Sequence, residues 1–222
     1  MRLWQDFTTN QGRTIHKWAH YFPAYERHFS PFVGRPIRFL EIGIGDGGSV
    51  EMWKRYFGPY AHFVGLDNRQ TCKAFEDDQF SVRIGDQSNA EFLDSVLAEF
   101  GVPDIVLDDG SHMMSDVCAT FLHLYPKMHH HGVYMVEDLH TAYLSAFGGG
   151  VRREGTFIEI AKGLIDELNV HPHTENSETT EFGRNTNSIS FYNSMAVFER
   201  GIPLPRLPMM LGSTPHYGGP TE

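Results

Sequence analysis

The residues best suited to chemistry fall into three groups. The first is a glycine run, Gly43-Ile44-Gly45-Asp46-Gly47-Gly48, with Glu41 two residues before it and Ser49 directly after it. Gly43, Gly45 and Gly48 satisfy the spacing G-x-G-x-x-G. There a backbone bare of side chains turns sharply and lets a ligand approach the N-terminus of the next helix. That geometry serves a nucleotide pyrophosphate or the carboxylate of S-adenosylmethionine about equally well. The flanking carboxylates separate the two, because Glu41 and Asp46 would repel a pyrophosphate but suit a ligand bearing an ammonium and a sulfonium. S-adenosylmethionine is therefore the expected ligand, with Glu41, Gly43, Gly45 and Ser49 around it.

The second group is a set of carboxylates that follow apolar runs. Asp67 closes the run Ala61 to Leu66 and is placed to accept ribose hydroxyls, a role common to nucleotide folds of both kinds. In Gly85-Asp86-Gln87-Ser88, Asp86 either accepts an adenine amino group or makes a plain turn before the helix that opens at Asn89. The residues alone leave both open. Gln87 and Asp108 are counted in the same ligand shell.

The third group is Asp108-Asp109-Gly110-Ser111-His112 together with Glu137-Asp138. If these close two adjacent parallel strands, about 4.8 Å apart, then Asp109, Glu137 and Asp138 converge, and unpaired carboxylates would repel one another. A hard cation relieves the repulsion, which points to Mg²⁺, with Mn²⁺ or Ca²⁺ as alternatives, rather than to zinc. The competing assignment is a helix cap at Glu137-Asp138 and a turn at Asp109. His112 could reach a substrate oxygen on that ion and act as general base, since an alcohol is a poor nucleophile at neutral pH and an imidazole of pKa about 6.5 can take its proton. His129-His130-His131 is instead expected at a solvated helix C-terminus. His140 and Tyr143 are candidate pocket walls.

These groups need a scaffold that gathers strand ends. Apolar runs Ile37 to Ile44, Ala61 to Leu66, Phe80 to Ile84, Asp104 to Leu107 and Val133 to Val136 read as strands. They alternate with helical stretches Ser49 to Tyr56, Asn89 to Phe100 and Ser115 to Met128. Strands joined by helical crossovers imply a doubly wound, mostly parallel α/β sheet with ligands at its carboxyl ends. Ser188 to Tyr192 and Met195 to Glu199, joined by Asn193-Ser194, predict a late antiparallel hairpin. A single domain over residues 1–222 is expected. It has an aromatic-rich helical cap to residue 36, a core over 37–200 and an extended tail over 201–222. Gly148 to Gly150 reads as a hinge, Thr156 to Leu168 as a helix and His171 to Asn187 as a mobile polar run, with a lid or insert near 144–187.

The chain of 222 residues carries 18 Lys+Arg against 28 Asp+Glu, a formal charge of −10. Such an excess of acid argues against nucleic acid or an anionic membrane as partner. Two cysteines are too few for a disulfide framework, which makes a reducing cytoplasm the default. No apolar run approaches the roughly 18 residues of a membrane helix, and Asp6 interrupts the start before an export signal can form.

Taken together, several stretches resemble the metal-dependent sugar O-methyltransferases of natural-product biosynthesis, of the mycinamicin and macrocin type. They are His20 to Glu26, Phe39 to Gly48, Met52-Trp53, Val64 to Asp67, Asp108 to His112, Val136 to Asp138 and Gly148 to Asn169. The resemblance covers roughly Thr14 to Arg200. It implies a Rossmann-like class I methyltransferase, with S-adenosylmethionine as donor and Mg²⁺ on Asp109, Glu137 and Asp138. It further implies His112 as base, a small sugar or glycoside acceptor and a homo-oligomer. Two departures are expected: the extra N-terminal domain of the mycinamicin enzyme is lacking, and Thr14 to Lys17 does not reproduce the Thr-Asp-Lys of many relatives. Cephalosporin-pathway proteins share the loop and the acidic cluster, which leaves other acceptors open. A catechol or other phenol is one alternative. A nicotinamide-dependent oxidoreductase and a non-catalytic cofactor-binding domain are others, the former opposed by Glu41 and Asp46.

Overall fold

The computed structural model describes residues 1–170, 179–204, 209 and 211–212. Strands β1 (Arg38–Ile42), β2 (His62–Asp67), β3 (Phe80–Ile84), β4 (Ile105–Asp108) and β5 (Val133–Val136) run parallel. The hairpin of β6 (Thr186–Tyr192) and β7 (Met195–Arg200) adds to β5 antiparallel, giving the order β3-β2-β1-β4-β5-β7-β6. The strands inside the sheet, β1, β2, β4, β5 and β7, send alternate side chains to two cores, as their twofold period requires. In β5, Val133 and Met135 join one core while Tyr134 and Val136 join the other. A sheet buried on both faces explains why these strands read as unbroken apolar runs.

Helices α1 (Arg2–Thr8), α2 (Phe22–Phe29) and α3 (Gly48–Phe57) cover one face. There Trp53 stacks on Phe39 with centroids 5.5 Å apart, and Tyr25 meets Trp53 edge-on at 5.2 Å. Each such ring contributes about 1.5–3 kcal/mol by burial, enough to fix the N-terminal cap to the sheet. Helices α4 (Ala90–Phe100), α5 (Met114–Leu124) and α6 (Phe157–Asn169) cover the other face. The short α7 (Glu181–Asn185) leads into β6.

Several boundaries differ from expectation for identifiable reasons. The helix expected to reach Met128 stops at Leu124, because Pro126 lacks an N–H, and a single 3₁₀ turn follows over Tyr125–Lys127. His129 to His131 therefore sit in the turn before β5 rather than at a helix end, with Gly132 N donating to His129 O at 2.9 Å. Gly148 to Gly150, expected as a hinge, is tied into its surroundings in this structure. Gly149 N donates to Leu144 O and Gly150 N to Ala142 O, both at 2.9 Å, and a Cβ on Gly149 would meet two backbone oxygens at 2.5 Å. Beyond it, α6 packs Phe157 against Phe121 and Phe198, with centroids 5.2 and 5.9 Å away, so this part of the expected lid is a layer of the fold. The polar run falls outside the described residues over 171–178, and its remainder forms α7 and the start of β6. Most of the expected tail also lies outside them. Helix α1 falls within the expected N-terminal helical cap and buries Leu3 completely.

Candidate active site

The sheet ladder continues past the strand ends and sets the candidate residues side by side. Gly43 N donates to Leu66 O at 2.8 Å, Asp109 N to Ile42 O at 2.9 Å, and Glu137 N to Asp108 O at 2.9 Å. Two glycines permit the close approaches this needs. Gly43 has φ +81°, and a Cβ there would lie 2.1 Å from Asp109 O. A Cβ on Gly48 would lie 2.2 Å from Thr14 O, so the segment before α2 crosses the start of α3 in backbone contact. That crossing carries Lys17 into the site.

The strand ends enclose a cleft of about 700 Å³. Gly43 to Asp46, Ser49, Asp67 to Arg69, Gly85 to Gln87, Asp109 to His112, Glu137 and Asp138 line it, joined by Thr14, His16, Lys17 and Trp18. Of the expected ligand residues, Gly43, Gly45, Ser49, Asp67, Asp86 and Gln87 all reach this cleft. Asp67 accepts from Arg69 N at 2.9 Å and Arg69 Nε at 3.1 Å. Burial alone would raise its pKa, but Arg69 holds it below the usual carboxylate range. Asp86 Oδ1 accepts from Ser88 N and Oγ, both at 2.8 Å, so it makes the turn, while Asn89 caps α4 through Phe92 N at 3.0 Å. Gln87 spends its amide within the protein. Nε2 donates to Asp108 Oδ1 and Thr120 Oγ1, each at 3.2 Å, and Oε1 accepts from Ser111 N at 2.7 Å. It braces the loop that carries His112.

Glu41 and Asp108 are not among the lining residues; both are buried beneath the cleft. Burial pushes Asp108 up to about 7, against donors Gln87, Gly110 and Tyr134. Glu41 accepts from Trp53 Nε1 at 3.3 Å, and burial raises its pKa as well. Its Oε2 is buried with no hydrogen-bond partner, an electron-rich position that suits a positively charged ligand better than a phosphate. His140 and Tyr143, the expected pocket walls, lie outside the lining: His140 Nδ1 is 2.7 Å from Ser194 Oγ and Tyr143 is exposed.

The structure brings Asp109, His112 and Asp138 together and turns Glu137 toward other partners. Asp109 Oδ1 and Asp138 Oδ2 lie 3.7 and 3.6 Å from His112 Nε2. One ligand atom from each of Asp109, His112 and Asp138 lies within 4.8 Å of the other two. The two carboxylates, facing an open cleft with room for water, fit a hard divalent ion, and the imidazole stands beside them. Glu137 faces elsewhere. Its oxygens are each 3.1 Å from Lys17 Nζ, and Oε1 also accepts from the Tyr25 hydroxyl. Burial pushes Glu137 up to about 8, opposed by Lys17. For Lys17 burial disfavours the charge, but Asp109, Glu137 and Glu41 outweigh it and hold the ammonium.

Four residues at this site escaped the sequence analysis: Lys17, Tyr21, Tyr25 and Arg69. The rings of Tyr21 and Tyr25 are fully buried in the cap. Their hydroxyls nevertheless hold Asp138 and Glu137. The i, i+4 spacing of the two tyrosines places them on one side of the chain but names no partner for their hydroxyls.

A glycine loop after β1, carboxylates after β2, β4 and β5, and an antiparallel hairpin on a parallel sheet define a class I, Rossmann-like methyltransferase fold. No family model matches the chain. Solved structures and curated sequences do. The MycE methyltransferase of the mycinamycin biosynthetic pathway, solved in complex with Mg and SAH, superimposes with a TM-score of 0.78 at 34% identity, over 90% of this chain and 54% of that one. Mycinamicin VI 2''-O-methyltransferase of Micromonospora griseorubida is 36% identical over 197 residues, 82% of this chain and 48% of the relative. The 8-demethyl-8-(2-methoxy-alpha-L-rhamnosyl)-tetracenomycin-C 3'-O-methyltransferase of Streptomyces olivaceus is 35% identical over 196 residues, 83% of this chain and 50% of the relative. Over the matched length the chain is similar to sugar O-methyltransferases of macrolide and polyketide biosynthesis, and it spans about half the length of the curated relatives it matches.

Proposed function

We propose that the protein is an S-adenosylmethionine- and Mg²⁺-dependent O-methyltransferase that methylates a hydroxyl of a deoxysugar or glycosylated natural product. The observation that carries this reading is the position of His112 Nε2, 3.7 Å from Asp109 and 3.6 Å from Asp138, in the cleft that the glycine loop lines. The names of the relatives, which specify methylation of a rhamnosyl tetracenomycin and of mycinamicin VI, support the acceptor class. A small-molecule partner and a cytoplasmic setting go with it. Among the described residues no helix is long and apolar enough to cross a membrane.

S-adenosylmethionine, the co-substrate, supplies an electrophilic methyl on a sulfonium, and the glycine loop, Ser49, Asp67 and Asp86 are the residues that would hold it. Asp109 and Asp138, with Glu137, are the residues that would hold a divalent ion, which when bound would lower the pKa of the acceptor hydroxyl. His112 Nε2 takes the hydroxyl proton as the oxygen–methyl bond forms and the carbon–sulfur bond breaks, its electron pair staying on sulfur. Asp109 and Asp138 stabilise the imidazolium that results. Gln87 holds the loop so that the ring faces the cleft.

Calorimetry with S-adenosylmethionine and S-adenosylhomocysteine, followed by transfer assays on a panel of glycosides and phenols, tests the proposal. His112→Ala should lower turnover by about 10²–10⁴-fold while leaving donor binding intact. A variant with undiminished turnover removes the base, and transfer that persists in excess EDTA removes the metal.

A further inference from the structure

Lys17 is a buried cation at the site to which the sequence reading gives no role. Its side chain is 2% exposed, with Nζ 2.7 Å from Asp109 Oδ2, 3.1 Å from each oxygen of Glu137 and 3.8 Å from Glu41 Oε1. Three carboxylates converge on one ammonium. Asp109 faces two ways: Oδ2 contacts Lys17, while Oδ1 points toward His112 and shares with Asp138 the group able to hold an ion. Lys17 thus divides the acidic cluster, with Glu41 and Glu137 on its own side, Asp138 and His112 on the other, and Asp109 common to both.

We propose that Lys17 is a resident cation that competes with the divalent ion for Asp109 and Glu137, and so sets the affinity of the protein for metal. The inference rests on the metal-dependent reading above. A carboxylate oxygen that already accepts a short charge-assisted bond offers less to a second cation, and an ammonium within a few ångströms repels the incoming ion. The same contacts keep buried carboxylates compensated when no ion is bound, since a buried charge that loses its partner is strongly destabilising. Lys17 therefore exchanges metal affinity for an ion-free site that stays folded. Both oxygens of Glu137 face the ammonium, so an ion held by Asp109, Glu137 and Asp138 would have to share Glu137 with Nζ.

The test is Mn²⁺ and Mg²⁺ binding by calorimetry on the whole chain, without donor or acceptor, with melting temperatures recorded with and without ion. Lys17→Met and Lys17→Gln should each bind Mn²⁺ roughly tenfold or more tightly than the parent protein, melt lower without ion, and gain more from saturating ion. Lys17→Arg, which keeps the charge, should stay near the parent affinity. A lysine with a merely structural role would give weaker binding and weaker stability together. Unchanged or weakened metal affinity in a folded neutral variant overturns the proposal. Lys17→Gln retains amide donors for Asp109 and Glu137, and it carries the comparison if Lys17→Met does not fold. If neither the parent nor the neutral variants bind Mn²⁺ at millimolar concentration, the metal-dependent reading falls as well. Tight parental binding without gain in the variants removes the competition alone.

Discussion

Asp108→Asn is expected to change how stability depends on pH. Asp108 is 1% exposed at the end of β4, and burial lifts its carboxyl to about 7 from an ordinary value of 3.8. Between those values the folded chain keeps a proton that the unfolded chain has released, so raising the pH favours unfolding. The stability tied to the protonated form is complete below 3.8 and is lost progressively up to about pH 7. The shift of about 7 − 3.8 = 3.2 units, at 1.36 kcal/mol each, amounts to about 4 kcal/mol. An asparagine cannot ionise and still offers a carbonyl to Gly110 N and Gln87 Nε2, while Tyr134 can turn its hydroxyl oxygen toward the amide. Urea unfolding of both proteins in EDTA, from pH 4.5 to 8, isolates the effect because every other titrating group cancels in the difference. The variant should gain about 3 kcal/mol relative to the parent across that range. Stability curves that run parallel would refute the assignment of a burial-raised carboxyl to Asp108.

Two further substitutions probe the supports of the cleft. Tyr25→Phe removes a donor from the buried Glu137 and should cost about 1–3 kcal/mol, a fall of several degrees in melting temperature; an unchanged melting temperature would show that Lys17 alone satisfies that carboxylate. Gly43→Ala combines φ +81° with a Cβ 2.1 Å from Asp109 O, whereas Gly34→Ala meets a similar φ of +75° in open space. Gly34→Ala should cost about 1–2 kcal/mol with donor binding unchanged, and Gly43→Ala should cost more and weaken donor binding in calorimetry; equal costs would mean that backbone contact at the loop does not matter.

What the sequence made legible follows from which forces act locally. Most of the parallel strands could be read because β1, β2, β4 and β5 are buried on both faces and so largely apolar, while β3 at the sheet edge interposes Ser81 and Arg83. The site loops could be read because a chain entering a cleft from a strand end needs glycine or carries carboxylates at fixed offsets. Lys17, Tyr21 and Tyr25 were not legible as site residues, since nothing in a local pattern tells which distant carboxylates a lysine or a tyrosine hydroxyl will meet. Lys17 is 92 residues from Asp109 in sequence and 120 from Glu137. Gln87 was legible in place but not in role, because an amide next to a ligand cleft and an amide that braces the cleft occupy the same position in the chain. The break of α5 was legible in Pro126, whose missing N–H ends the helix that periodicity alone would have continued.

The late hairpin has a consequence for the site that its distance along the chain conceals. His112 and Asp138 both adopt left-handed backbone conformations, at φ 58° and 54°, and such residues cost about 1–3 kcal/mol unless their surroundings impose them. At Asp138 the imposition is visible. Tyr21 accepts a hydrogen bond from Asp138 N at 3.1 Å and has its single hydroxyl proton within reach of Asp138 Oδ1 at 2.7 Å and Ser194 O at 3.1 Å. Ser194, the turn residue between β6 and β7, also accepts from Leu139 N at 2.9 Å and, through Oγ, from His140 N at 3.0 Å. The backbone after β5 is therefore clamped from two sides, by a tyrosine of the N-terminal cap and by the tip of the C-terminal hairpin. The antiparallel addition to a parallel sheet is in this sense part of the site: it fixes the one strand end where a carboxylate must hold a strained conformation beside the imidazole.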